Sequence, residues 1–451
     1  MLPRWWLTAA FGILLGSLML ASHSRMTGDA SEYLTMAERF AHFEGPSLSS
    51  EDVRLDRFGE RPILNHAGRF ELWHFWVFPL LAAPFVALAS AMRLPPLAGF
   101  ALLNALLLLY ACWSVTRRFG GWAAALLCFS PIVWWSDKAQ VEVFTVTLLA
   151  LEAASLDRLS IAALFCGLAS TQNPPIAIFA ATAACAGWCV PRCRPLRGPL
   201  WGWLIATALV LLHPLYYLAR IGRPTPLVDG RSILIPTARF LVAPLLDLNL
   251  GLVWSAPLFA LAAGAAWIVA LRRARTAALL AAAGALALFV AFAQAPNVNS
   301  GGTPGMDRYA LWLFPFALPL VRAAVHSRAV RLGILLSAAS SPIVFRPSIP
   351  ESFLQPTALA MYVWTRHPGW DNPSAEIFAE RLRHQDGVNT RAATPQCEKV
   401  LVEDGEWPAA CAAAPVPAAC RAATCYANTR PDGAYAYVTT ARRPGWWLAF
   451  P

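Results

Sequence analysis

Long apolar runs constrain the fold of this chain more than any other feature of its sequence. Blocks of roughly 16 to 22 apolar residues recur along it, and short polar segments separate them. A helix of about 20 residues crosses a hydrocarbon core of about 30 Å. Inside lipid, each backbone donor and acceptor must find its partner within the chain, which favours helices over open sheets. With 57% hydrophobic and 14% charged residues, we expect an all-α polytopic membrane protein.

Eleven of these blocks are predicted to be transmembrane helices. They lie near 5–22, 96–116, 121–136, 142–156, 159–175, 176–191, 200–218, 252–271, 276–294, 309–322 and 330–345. A further apolar stretch, 75–92, contains Pro79 and Pro84. Proline removes a hydrogen bond from the helical ladder, so this stretch fits a re-entrant or interfacial helix as well as a crossing one.

Arginine clusters decide between these two topologies, because cytoplasmic loops of membrane proteins concentrate Lys and Arg. If 75–92 does not cross, every cluster falls on the side of Arg4. The clusters are Arg117 with Arg118, Arg158, Arg192 with Arg194 and Arg197, Arg272 with Arg273 and Arg275, and Arg322 with Arg328 and Arg331. If 75–92 crosses, each later cluster lies opposite Arg4. The pattern therefore predicts eleven spans in the cytoplasmic (inner or plasma) membrane, a cytoplasmic N-terminus and an extracytoplasmic C-terminus.

The net charge of +10 raises the question of a nucleic-acid partner. A nucleic-acid surface carries its basic residues as one stripe or patch, whereas this chain places them in short clusters between apolar blocks. We therefore predict membrane lipids as partners, and no nucleic acid.

Two domains follow from this organisation. Residues 1–345 form the predicted transmembrane module, whose first extracytoplasmic loop, 23–95, carries interfacial helices. Residues 346–451 lack a span and are predicted to form a small extracytoplasmic domain. Four cysteines lie close together in this tail: Cys397, Cys411, Cys420 and Cys425. An oxidising compartment permits disulfides, here with three possible connectivities; zinc binding is the alternative, although the spacing lacks a CxxC pair.

Two carboxylates open the first polar loop, directly after the first span. Asp29 and Glu32 stand three residues apart, a spacing that puts them on one face of a helix. A carboxylate at the membrane surface can act as a general base toward a sugar or lipid hydroxyl. The alternative is structural: Asp29 caps the helix that begins at Ala30, and Glu32 supports its first turn.

The motifs around these carboxylates resemble the GT-C superfamily of membrane glycosyltransferases. They are GDASEYL at 28–34, HFWVFPLLAAPF at 74–85, LLYACWSVTRRFGG at 108–121, FSPIVWWSDKAQVEVF at 129–144 and GGTPGMDRYALWLFPF at 301–316. The similarity is to the bacterial branch that uses polyprenyl-phosphate sugars, related to protein mannosyltransferases and aminoarabinose transferases. It covers residues 1–175 and the late motif; the tail resembles no family that we can name.

The resemblance implies a catalytic role for the acidic residues. Asp29 takes the position of the catalytic base, with Glu32 beside it, and Asp137 or Glu142 takes the second acidic position. The implied reaction transfers a sugar from a polyprenyl phosphate to a lipid, glycan or protein acceptor by direct displacement. The chain lacks the Asp-x-Asp motif of oligosaccharyltransferases, so we predict no metal and no other cofactor; a divalent cation stays an open alternative.

Displacement also needs a cation for the leaving phosphate. Arg308 is the first candidate, because the glycine-rich segment before it allows backbone amides to approach an anion; Lys138 and Arg231 are further candidates. In the alternative interpretation, Asp307 pairs with Arg308 and the glycines only allow a tight turn. Three more residues are predicted to contact the sugar: His74, Gln172 and Tyr309. For His74 the alternative is a structural hydrogen bond.

Two other functions remain open. A flippase or transporter for a lipid-linked sugar would use a bundle of similar size, but transport pathways need ionisable groups in mid-span, and these spans contain almost none. An O-antigen ligase or polymerase would depend on arginine and histidine in large late loops, whereas the acidic motif here comes first. A non-enzymatic scaffold is also compatible with one sequence.

Overall fold

The computed structural model describes residues 5–53, 62–226, 238–292 and 302–366, a few single positions between 370 and 384, and the backbone of four strands in the tail. Helices dominate this part of the chain, which confirms the predicted helical class. The α-helices are α1 Trp5–Leu20, α2 Ala30–Ala41, α3 Ser50–Val53, α4 Val77–Ala91, α5 Leu97–Phe119, α6 Gly121–Cys128, α7 Glu142–Ala154, α8 Leu159–Gln172, α9 Ala177–Cys189, α10 Leu200–Ile221, α11 Ala238–Leu246, α12 Leu252–Ser255, α13 Pro257–Arg273, α14 Arg275–Phe292, α15 Phe314–Ala324, α16 Arg328–Val344 and α17 Ala358–Arg366.

Short 3-10 helices and strands complete the described secondary structure. The 3-10 helices are Pro131–Trp135, Pro174–Ile176, Pro191–Leu196 and Arg308–Leu313. The strands are β1 Ile63–Leu64, β2 Phe70–Glu71, β3 Arg391–Ala393, β4 Val400–Glu403, β5 Cys425–Thr429 and β6 Tyr435–Thr440. The last four form an antiparallel sheet in the order β3-β5-β6-β4, so the all-α class does not extend to the tail.

Two of the described helices, α5 and α10, are long and apolar enough to cross a membrane. Five shorter apolar helices accompany them: Trp5–Leu20, Val77–Ala91, Leu159–Gln172, Pro174–Cys189 and Arg275–Ala291. Only 17% of the apolar window in α10 is buried, so most of its Leu and Trp side chains lie on the protein surface. The length and the apolar composition of these helices support association with a membrane.

The chain forms two compact units. The first contains Met1–Ile233, Leu258–Leu288 and Leu311–Ile349, and the second contains Leu234–Pro257, Phe289–Ala310 and Pro350–Pro451. The sequence predicts one boundary, between residues 345 and 346. The second unit begins its last segment close to that point, at Pro350, and also includes two earlier segments.

Helix α4 begins and ends near the N-terminal end of α5. Its second residue, Phe78, packs against Phe100 in the first turn of α5 and Phe144 in the first turn of α7, with ring centroids 5.5 Å apart in both pairs. Further along the helix, Val86 lies so close to Gly99 that a Cβ on Gly99 would approach the Val86 backbone to 2.5 Å. The contacts of Phe78 and Val86 thus involve the same first turn of α5.

The opposite end of the first unit carries arginines. Arg322, in the last turn of α15, donates a hydrogen bond to the carbonyl of Arg118, in the last turn of α5, at 2.5 Å. Arg118 also pairs with Asp157, between α7 and α8, at 3.5 Å. The C-terminal ends of α5, α7 and α15 therefore lie together.

Candidate active site

A sharp turn before α2 places Asp29. Gly28 has a φ of +48°, in the left-handed region that side chains disfavour. Gln140 Nε2, from the loop before α7, donates a hydrogen bond to the carbonyl of Thr27 at 2.7 Å. A Cβ at Gly28 would lie 2.9 Å from that nitrogen. Backbone conformation and space both favour glycine here, and Gln140 joins the two loops that carry the predicted acidic residues.

Asp29 occupies the position before the first turn of α2, but its side chain makes no capping hydrogen bond to the helix. The first turn is closed by backbone groups instead, with Ala30 N–H bonded to the Thr27 carbonyl at 3.0 Å. The Asp29 carboxylate is therefore not used as a helix cap, which was the structural alternative for this residue.

His74 lies between the two carboxylates of the motif. Its Nδ1 atom is 3.1 Å from Glu32 Oε2, and its backbone N–H donates to the same oxygen at 3.1 Å. On the other side of the ring, Nε2 is 3.4 Å from Asp29 Oδ2. The side chain of Glu32 is 5% exposed and that of Asp29 is 31% exposed. The imidazole thus connects a buried carboxylate to one that solvent, and hence a substrate, can reach.

Side chains from two other helices hold the backbone around His74. The Tyr217 hydroxyl, on α10, lies 3.0 Å from the carbonyl of Leu72 and 3.2 Å from that of His74. Gln172, the last residue of α8, donates from Nε2 to the carbonyl of Phe75 at 3.0 Å. The sequence predicts that Gln172 contacts the sugar; its amide nitrogen is used here to position the chain beside His74.

An aromatic ring packs against the imidazole. Tyr33, the neighbour of Glu32 on α2, has its ring centroid 5.2 Å from that of His74 and 5.8 Å from that of Phe78. Tyr33 is buried. The described groups in contact with His74 therefore come from the start of α2 and from α10, and each of its ring nitrogens faces a carboxylate.

Asp137 and Lys138 form a buried ion pair in the loop before α7. Lys138 Nζ donates to Asp137 Oδ1 at 2.5 Å, to the carbonyl of Trp134 at 2.6 Å and to that of Pro347 at 3.2 Å. It also lies 4.0 Å from the centroid of the Trp134 ring. An ammonium group has three protons, and these acceptors account for them. The arrangement favours a structural task for Lys138 over a contact with the donor phosphate.

The same cluster includes residues that sequence reasoning missed. The Ser22 hydroxyl donates to the second oxygen of Asp137, and Arg25 donates to the carbonyls of Pro347 and Ile349. The Trp134 indole nitrogen donates to the Ile349 carbonyl at 2.9 Å. Asp137 is thus surrounded by protein donors, which favours a structural role for it as well. Glu142, the other candidate, is the first residue of α7 and is also buried.

Glu71 is another carboxylate that the sequence analysis did not single out. It is buried at the end of β2. Ser47 Oγ and Asn65 Nδ2 donate to its Oε1 at 2.7 and 2.6 Å, and Tyr216 Oη donates to its Oε2 at 2.8 Å. An acidic residue inside the aromatic run at 70–76 is the signal that could have identified it. Its donors tie the first polar loop to α10.

Arg308 and Tyr309 lie in the glycine-rich loop, at the start of a 3-10 helix in Arg308–Leu313. The carboxylate of Asp307 accepts the backbone N–H of Tyr309 at 2.8 Å. The Arg308 guanidinium donates to the Tyr309 hydroxyl at 3.2 Å. Gly302 and Gly305 adopt positive φ angles, as a tight turn requires. The segment Phe289–Ala310, which includes this loop, belongs to the second compact unit.

Some predicted site residues belong to other parts of the chain. Arg231, Cys397, Cys411 and Cys420 lie outside the described residues, and only the backbone of Cys425 is described, in β5. The phosphate contact of Arg231 and the disulfides therefore stay predictions.

In the described residues, no group of three or more His, Cys, Asp or Glu side chains could hold a metal ion. A surface cavity of about 470 Å³ lies between α2 and α4, but Asp29, Glu32 and His74 are absent from its lining. Two of its three acidic residues, Glu44 and Asp52, pair with Arg39.

Comparison of the chain with protein-family models, with curated proteins and with solved structures finds no match.

Proposed function

We propose that this chain is an integral membrane glycosyltransferase that moves a sugar from a polyprenyl-phosphate donor to an acceptor hydroxyl on the extracytoplasmic face. The single observation that carries the proposal is the state of Asp29. Its carboxylate makes no helix cap, is partly exposed and lies 3.4 Å from His74. A general base needs this combination of access and a fixed orientation.

The proposed topology has eleven spans, with α4 lying at the extracytoplasmic surface. Two groups of contacts support it. The C-terminal ends of α5, α7 and α15 share the arginine end. At their other ends, the first turn of α5 contacts Phe78 and Val86 of α4, and the first turn of α7 contacts Phe78. These contacts suit a helix of 15 residues that lies along the surface.

In the proposed reaction, Asp29 takes the proton of the acceptor hydroxyl while the oxygen attacks the anomeric carbon. The bond from that carbon to the phosphate oxygen breaks, and the electron pair leaves with the polyprenyl phosphate. Arg308 is the cation that we assign to the leaving phosphate, on the strength of the motif at 301–316. Asp137 and Lys138 support the loop beside the site and take no part in the chemistry.

In the test, membranes that contain the parent or the Asp29→Asn protein receive a hexose or a pentose linked to polyprenyl phosphate, with the label on the sugar. The release of polyprenyl phosphate is then measured. Asp157→Asn is the matched control, because it makes the same change at an exposed carboxylate of the arginine face. We expect the parent and the control to release polyprenyl phosphate. Release by Asp29→Asn should be at least a hundredfold slower. Labelled lipid that crosses the bilayer uncleaved would identify a transporter instead.

A further inference from the structure

The contacts of His74 determine which ring nitrogen carries its proton. Glu32 Oε2 faces both the backbone N–H and Nδ1 of His74. An ionised carboxylate only accepts hydrogen bonds, so Nδ1 carries a proton when Glu32 is ionised. Nε2 is then the nitrogen whose protonation can change, and it is the one that faces Asp29.

When the imidazole is neutral and Asp29 is ionised, His74 Nε2 and Asp29 Oδ2 are both hydrogen-bond acceptors, and they lie 3.4 Å apart. One additional proton between Nε2 and Oδ2 turns this contact into a charge-assisted hydrogen bond. Such contacts are often longer before substrate binds. The pair therefore has room for one proton, and Glu32 lies where it stabilises the resulting imidazolium.

We infer that His74 is the positioning residue of the site, which accepts from Asp29 the proton that Asp29 removes from the acceptor hydroxyl, with Glu32 stabilising the charged ring. This inference rests on the proposed transferase function. The hydroxyl O–H bond breaks, the proton moves to Asp29 and then to Nε2, and the new glycosidic bond forms as the phosphate leaves. Asp29 returns to its ionised form, and His74 later gives the proton to water.

The surroundings of His74 suit this task. Among the described residues, the titratable groups near it include Asp29, Glu32 and Tyr33 at the start of α2, and Tyr217 and His213 on α10. His213 is occupied elsewhere, because its Nδ1 lies 2.8 Å from the carbonyl of Thr171. The backbone contacts of Tyr217 and Gln172 fix the chain at 72–75, so the ring is held between the two carboxylates before any substrate arrives.

The test compares His74→Asn, His74→Ala and the exposed control His42→Asn in the carrier-release assay between pH 5.5 and 8.5. The asparagine amide reproduces the Nδ1 donor to Glu32 but has no counterpart of Nε2. The expected result for His74→Asn is a kcat about a hundredfold lower with a donor KM changed less than about threefold, and a pH profile that loses its acidic limb. His42→Asn should match the parent.

Added imidazole separates proton transfer from simple packing. It should restore His74→Ala at least tenfold and have no effect on Asp29→Asn. If His74→Asn keeps the parental kcat and pH profile, or if imidazole fails to restore His74→Ala, the inference is wrong while the transferase function stands. If the parent releases no carrier, or Asp29→Asn releases it at the parental rate, the proposed function itself fails.

Discussion

Lys138 Nζ lies 2.5 Å from Asp137 Oδ1, and neither side chain is more than 2% exposed. Burial of two charges is costly unless each is paired and hydrogen-bonded. The carbonyls of Trp134 and Pro347 and the Ser22 hydroxyl supply those hydrogen bonds. The pair therefore stabilises the junction between the loop before α7 and the segment after α16.

Lys138→Met should lower the free energy of unfolding by about 3 kcal/mol or more, because it leaves Asp137 buried without its cation. The double variant with Asp137→Asn should lose less than the sum of the single variants. Thermal unfolding in detergent measures both. The exposed Arg118 and Asp157 pair is the control, and its removal should cost less than about 1 kcal/mol. Equal costs for the two pairs would contradict the structural role.

Gly28→Ala should reduce carrier release by about tenfold or more, because a Cβ meets Gln140 and the φ of +48° strains any side chain, so that Asp29 shifts. Gly45→Ala is the control, since its Cβ would meet nothing within 4 Å. Steady-state rates of the two proteins at equal expression give the comparison. Equal rates would show that the turn does not position Asp29.

Glu71→Gln should destabilise the protein by about 1 to 3 kcal/mol, because an amide nitrogen would replace one of the two oxygens that accept from Ser47, Asn65 and Tyr216. Tyr216→Phe removes one donor and should cost about 1 kcal/mol. Unfolding midpoints in detergent test this, with Tyr110→Phe as an exposed control. A stable Glu71→Gln protein would mean that these hydrogen bonds contribute little.

Asp52 should give the first polar loop a small pH dependence. The backbone N–H of Ser49 is the main cause that holds the pKa of the Asp52 carboxyl below its ordinary value, with help from the Ser49 hydroxyl and Arg39. A depressed pKa in the folded state adds stability above the unfolded pKa of about 3.9, and this stability is lost as pH falls through the folded value.

Asp52→Asn should therefore unfold more easily than the parent at pH 7, by about 0.5 kcal/mol because solvent screens a partly exposed carboxylate. The two proteins should converge as pH falls below the folded pKa of Asp52. Chemical denaturation at pH 7 and in acid measures the difference. If the two proteins differ in stability by the same amount at both pH values, the charge of Asp52 is not the cause of the difference.

Local periodicity predicts part of the candidate site. The spacing of Asp29 and Glu32 puts both at the start of α2, where each faces His74. In 75–92 the prolines fit a crossing helix as well as a non-crossing one, and the arginine clusters favour the second. Neither pattern reveals His74 as the partner of these carboxylates. His74 is 42 residues from Glu32 in the sequence, and their contact depends on how α2 packs on α4. From the sequence, His74 is a candidate for a sugar contact or for a structural hydrogen bond.

Burial explains why the surroundings of Lys138 and Gln172 in the structure differ from those that the sequence suggests. Lys138 looks like a cation that a phosphate could reach, since a polar loop usually lies in solvent. Hydrogen bonds to carbonyls of Trp134 and Pro347 enclose it, and Pro347 is 209 residues away in sequence. For Gln172 the sequence gives no sign of its hydrogen bond to the backbone of Phe75, which lies in a distant loop; its sugar contact stays a prediction.

The most direct test of Asp29 as the base separates donor binding from donor cleavage in one variant. Asp29→Asn should bind a labelled polyprenyl-phosphate sugar with a Kd within about threefold of the parent, and cleave it at least a hundredfold more slowly in a single turnover. Cleavage by Asp29→Asn at the parental rate, with the same Kd, would contradict the account.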